Sequence, residues 1–133
     1  MKFGQYSILD PVEHHFEKDP DKIWIIKPPT SGDELALEKF LIQKRLVVAE
    51  GQQVSLPPTN LEVAHREIAL TFGGTTLVDT EIPNNTHPIL DKNASVAEIE
   101  AVLCQMPYDL VMELWSAVGE ATLAWGPQKN SKN

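Results

Sequence analysis

One stretch near the middle of the chain constrains the fold more than any other: Pro57-Pro58-Thr59-Asn60-Leu61-Glu62-Val63-Ala64-His65-Arg66-Glu67-Ile68-Ala69-Leu70-Thr71-Phe72-Gly73-Gly74. Two prolines start it and two glycines close it. Thr59 and Glu62 stand three apart, the spacing of a capping box, in which a hydroxyl and a carboxylate each satisfy a backbone N–H left over by the first helical turn. Leu61, Ala64, Ile68 and Phe72 recur at helical spacing and make one apolar stripe. Gly73 suits the left-handed residue that commonly ends a helix. The stretch therefore predicts a helix over 60–72. Glu62, Arg66 and Glu67 flank its stripe, so it should lie half-buried against the rest of the domain.

The spacing of a capping box occurs twice more. Ser31 and Glu34, with Asp33 adding negative charge where the helix dipole is positive, predict a helix over 32–43. Ala36, Leu37, Phe40 and Leu41 would form its buried face, with Lys44 and Arg45 at the favourable C-terminal end. Ser95 and Glu98 start a helix over 96–106, whose stripe is Ile99, Val102, Leu103 and Met106, with Cys104 beside it. Pro107 restarts the chain at a first helical position, with Asp109 in the first turn. Val111, Leu114, Trp115, Val118, Thr122 and Trp125 then predict a helix over 108–125, stopped by Gly126-Pro127. These last two helices form an αα pair around a tight proline turn.

Elsewhere the period is that of strands. Lys22-Ile23-Trp24-Ile25-Ile26-Lys27 is β-branched and aromatic between Asp19-Pro20-Asp21 and Pro28-Pro29. Both of its faces are apolar, so it is covered on both sides within the domain or meets a partner with one of them. Arg45–Ala49 and Gln53–Leu56 flank Glu50-Gly51-Gln52 and read as a hairpin, with the strand around Trp24 as its expected sheet partner. Residues 1–21 are poorly defined: Asp10, Pro11 and Glu13 carry a helix-start signal, predicting a short helix over 11–17 that Asp19-Pro20-Asp21 breaks. Residues 75–90 read as a loop with a short extended piece at 76–78 and a solvent-facing His87, and 128–133 as a flexible polar tail. The fold class is α+β, mainly helical, with a small N-terminal antiparallel β element and a C-terminal helix pair in one domain over 1–127.

At 133 residues the chain can bury a core without disulfides. Its net charge of −8 and pI of about 4.9 argue against a nucleic-acid surface, which needs a basic footprint. Cys104 is the single cysteine, and no run approaches the roughly 20 apolar residues that span a bilayer. The expectation is a cytoplasmic protein with neither membrane nor nucleic-acid partners.

Chemistry is sparse. The four histidines, at 14, 15, 65 and 87, show no metal-ligand spacing with one another. No phosphate loop follows Gly32, and no nucleophile elbow occurs. His65 with Glu62 and Glu67 is where an acid–base site would be sought, and Cys104 has no basic sequence neighbour to make it a nucleophile. The residues thus point to no catalytic, cofactor or metal site. The candidate partner-binding residues are Trp115 and Trp125. Trp115 sits mid-stripe, a core position. Trp125, one turn from the helix end, is the better candidate for a contact surface, although capping the core is the commoner role.

Three segments carry a resemblance: Ile23-Trp24-Ile25-Ile26-Lys27-Pro28-Pro29-Thr30-Ser31-Gly32-Asp33-Glu34-Leu35, Ala64-His65-Arg66-Glu67-Ile68-Ala69-Leu70-Thr71-Phe72-Gly73-Gly74-Thr75, and Leu114-Trp115-Ser116-Ala117-Val118-Gly119-Glu120 with Trp125-Gly126-Pro127. In them the chain resembles the small tail assembly chaperones of long-tailed bacteriophages and prophages, especially those of Gram-positive hosts. The resemblance implies a non-enzymatic protein of the host cytoplasm that binds the tape-measure protein and helps recruit tail-tube subunits, with no catalytic residues to carry over. It also implies a second, longer form made by ribosomal slippage, which Gln128-Lys129-Asn130 and Ser131-Lys132-Asn133 permit if adenine runs encode them. A structural head–tail or tail completion subunit of the particle is the alternative, and homo-oligomers are compatible with either.

Overall fold

The structure, a computed structural model, describes residues 3–4, 10–42, 45–49, 51–56, 58–122 and 125–127, with backbone alone over 45–49 and 52–56. The elements run β1 (Val12–Phe16), β2 (Asp19–Ile26), α1 (Ser31–Ile42), β3 (Arg45–Ala49), β4 (Gln52–Leu56), α2 (Asn60–Leu70), β5 (Phe72–Thr75), α3 (Val96–Leu103) and α4 (Tyr108–Thr122). This is an α+β fold, with an antiparallel sheet near the N-terminus and two C-terminal helices. The predicted helix ends at Gln43 and beyond Thr122, the residue Lys44, and the tail over 128–133 lie outside the described residues.

The central helix is where the sequence placed it, with its capping box closed in both directions between Thr59 and Glu62. Its C-terminus differs. Phe72 leaves the helix for β5, and Gly73 is not a left-handed cap. The last turn is satisfied by Thr71, whose hydroxyl donates to the Glu67 carbonyl at 2.7 Å, and by Lys27, whose N–H donates to the Thr71 carbonyl at 2.7 Å. Residue 73 is a glycine for another reason. It is the extra residue of a bulge in the β2–β5 ladder, and a Cβ there would stand 2.8 Å from the Ile25 side chain.

Running straight from α2, β5 lies antiparallel to β2, which pairs with β1 on its other edge: the order is β1-β2-β5. His14 lies opposite Trp24, and Trp24 opposite Thr75. Trp24 and Ile26 are buried, and the Trp24 ring meets Phe16 and Phe72 edge-on at 6.5 and 4.9 Å. Ile23 and Ile25, on the other face, are half-buried. One face of β2 is therefore core and the other only partly covered.

Several expectations are corrected. Residues 12–16 are a strand, not a short helix, and β2 begins at Asp19 instead of breaking there. The hairpin β3–β4 forms around Gly51 as expected, but it is a separate two-stranded sheet and does not pair with β2. The cap of α1 is one residue early. Thr30 and Asp33 exchange the two bonds (2.9 and 3.2 Å), while Glu34 reaches elsewhere. On α1 Leu37 is buried and Phe40 packs against the core, but Leu41 is exposed. The extended piece after α2 is 72–75 instead of 76–78, with a further bridge between Val78 and Pro88. His87 does face solvent, and Leu90 closes the loop onto the core.

The capping box at Ser95 and Glu98 is present, and α3 ends at Leu103, before the predicted 106. Both C-terminal helices pack chiefly on α2. With α1 also against it, α2 is the element the other helices share.

Candidate functional site

Two polar constellations stand out, one inside the core and one on the surface. The inner one centres on Glu67, which faces the core from α2 and is 2% exposed. Its Oε1 accepts from the indole Nε1 of Trp115 and from the backbone N–H of Gly126, each at 2.8 Å. The segment 125–127 returns across α4 to make the second bond. That return needs glycine on both sides. A Cβ on Gly126, whose φ is +112°, would lie 2.3 Å from the Gly119 Cα, and a Cβ on Gly119 would lie 3.1 Å from the Trp125 carbonyl. Trp125 itself is 3% exposed, and its indole donates to Glu34 Oε1 at 3.0 Å. Of the two roles the sequence left to Trp125, contact surface or cap of the core, the structure shows the second: the side chain ties the segment after α4 to α1. Trp115, 4% exposed, is core as its mid-stripe position implied. Neither indole presents itself at the surface.

The outer constellation is a cleft of about 660 Å³ between the β1–β2 turn and α4. Its apolar lining comes from Phe16, Leu77, Leu110, Met112 and Ala117, and its carboxylates are Glu17, Asp19, Asp109, Glu113 and Glu120. His14 crosses the cleft, its Nε2 2.6 Å from Glu113 Oε2, and the same oxygen accepts the Glu17 N–H at 3.2 Å. This pair joins β1 to α4. At the turn, Asp19 lies above the ordinary carboxylate range because it shares a hydrogen bond with Asp21, which that bond holds below it.

The acid–base site sought in the sequence does not assemble. Glu62 is held in the capping box, Glu67 points into the core, and His65 bonds to neither. His65 instead lies beside Cys104, Nδ1 to Sγ 3.9 Å, which brings a histidine to a thiol that had none nearby in sequence. Burial lowers the His65 pKa, partly offset by the charge of Glu100. The neighbouring Arg66 forms a two-pronged pair with Glu100 (3.0 and 3.2 Å) and stacks on Phe40 at 4.5 Å. It thus clamps α1 and α3 to α2. Cys104 is exposed at the end of α3.

The histidines stay dispersed: His14 on Glu113, His15 on the Pro20 carbonyl at 2.9 Å, His65 at Cys104 and His87 in solvent. Among the described residues no group of three or more acidic, histidine or cysteine side chains could hold a metal ion, and no helix is long and apolar enough to cross a membrane.

Sequence reasoning missed both constellations. The available signals were the period-two order Val12, His14, Phe16, which marks a strand, and the helical order Asp109, Glu113, Ser116, Glu120, which marks one polar stripe.

The molecule is, in class, an α+β domain with a buried polar node and an acidic, apolar-floored cleft. No protein-family model, no curated protein and no solved structure matches the chain.

Proposed function

We propose that the protein is a non-enzymatic assembly chaperone of a phage-type tail, binding the tape-measure protein and helping recruit tail-tube subunits in the host cytoplasm. One observation carries this reading: the three segments of the resemblance are the segments that interlock. β2 from the first pairs with β5 from the second; Glu67 of the second accepts from Trp115 and Gly126 of the third; Trp125 of the third donates to Glu34 of the first. A similarity scattered over unrelated surface positions would carry no information about fold. This one lies in contacts on which the fold depends.

The surface suits the role. An acidic domain keeps a bound, aggregation-prone partner dispersed by its own charge. An apolar cleft with charged walls matches the helix-in-groove mode of recognition. The test is co-expression with the product of the long helical reading frame expected immediately downstream, followed by analysis of purified particles. The chaperone reading expects co-purification with the tape-measure chain and absence from finished virions. Stoichiometric presence in virions would overturn it in favour of a structural tail subunit.

A further inference from the structure

We propose that the cleft between the β1–β2 turn and α4 is the docking surface for a lysine- or arginine-bearing amphipathic helix of a partner protein. This deepens the chaperone reading by naming a surface and a partner chemistry, and rests on it only for which chain supplies the helix.

The argument starts from α4. Asp109, Glu113, Ser116 and Glu120 fall at i, i+4, i+7 and i+11, one stripe running about 16 Å along the helix at ~1.5 Å per residue. The stripe borders an apolar floor at Leu110, Ala117 and Phe16. Across the cleft the β1–β2 turn adds Glu17 and Asp19. An apolar strip flanked on both sides by carboxylates is the complement of a helix with one apolar face and basic shoulders. Such a helix repeats its side chains at the same three- and four-residue spacing.

The charge is unspent. Lys18 lines the cleft, and the His14 imidazole is already taken by Glu113. Glu17, Asp109 and Glu120 have no ion-pair partner among the described residues. A metal ion is not the occupant these residues suit, because carboxylates strung along a helix do not converge on one point, and no metal-holding group is found among the described residues. A nucleic acid would be repelled by the same walls and by the chain's net charge of −8.

The experiment uses the full chain and a fluorescent designed helix of leucine and lysine, about 15 residues long so that it is helical when bound. A scrambled peptide of the same composition is the comparison, with binding read by anisotropy. The designed helix should bind more tightly than the scrambled one. Asp109→Asn with Glu120→Gln should weaken binding about 3- to 10-fold, as expected for two exposed ion pairs. Ser116→Arg, which sets a long cation in the cleft at an exposed position, should weaken it more than about 10-fold, by excluding the apolar face as well as repelling the basic shoulders. Glu38→Gln with Glu81→Gln removes the same charge from exposed positions outside the cleft and should leave binding within about 2-fold. Circular dichroism should show each variant folded.

Equal weakening by the distant pair, equal binding of the scrambled peptide, or unchanged binding by Ser116→Arg would overturn the proposal. Binding in the expected pattern without co-purification of a tape-measure chain would sink the tail reading and leave the cleft. Co-purification that Ser116→Arg does not affect would sink the cleft alone.

Discussion

The node at Glu67 and the cleft at α4 are both built from carboxylates beside apolar side chains, yet they are opposites. Inside, one carboxylate oxygen takes two donors from two distant parts of the chain, and the elements it joins are fixed by that. Outside, carboxylates of the cleft stand along a helix with apolar residues at their feet, and Glu17, Asp109 and Glu120 have no ion-pair partner among the described residues. Burial explains the difference. A buried carboxylate without donors would cost several kcal/mol, roughly, so the fold must supply them. An exposed one is satisfied by water and is available to a partner. The inner group specifies the structure, and the outer groups are what the structure presents.

The comparison breaks most visibly at Glu67. Replacing Glu67 with Leu leaves two buried donors without their acceptor, and stability should fall by about 3–5 kcal/mol in urea denaturation. A loss below ~1 kcal/mol would show that the node does not hold the fold.

Trp125→Ala should cost about as much, ~3–5 kcal/mol, because it empties a core site and frees the segment that returns to Glu67. The sequence left this residue two roles, cap of the core or contact surface, and for a contact surface the melting temperature would hardly move. Thermal denaturation separates the two.

Gly126→Ala is milder. At φ +112° and with Gly119 against it, an added methyl forces the segment off α4, at about 1–3 kcal/mol, with increased exposure of Trp125 to a fluorescence quencher.

The smallest effect is expected at His65, outside both regions. Its folded pKa lies below the unfolded value near 6.5 because burial disfavours the charged ring. The unfolded chain therefore binds the proton more readily. The His65 contribution is fully present above that value and is lost as pH falls through the depressed folded pKa. His65→Gln should flatten the stability profile on that acid side. A profile unchanged by the substitution would contradict the assignment.

What the residues disclosed, and what they hid, follows the same division. The capping boxes at Thr59 and Ser95 were legible because each is closed within four residues. The one assigned to Ser31 was displaced to Thr30 because Trp125, 91 positions away, takes Glu34. β1 was hidden behind a local helix-start signal at Asp10-Pro11; its pairing with β2 and its histidine bond to α4 outweigh that signal. Gly73 was read as a helix cap, but the constraint on it comes from Ile25 on another strand. The cleft was illegible for a similar reason, since Glu17 and Glu113 stand 96 positions apart and meet only once β1 docks on α4.

The most direct test of the account is hydrogen exchange on the chain alone and on its co-expressed complex with the tape-measure protein. Partner binding at the cleft should slow exchange over 14–19 and 107–120, leaving the helix around Glu67 unchanged because it is already protected. Slowing confined to α1 and the β3–β4 hairpin, with the α4 cleft unaffected, would contradict it.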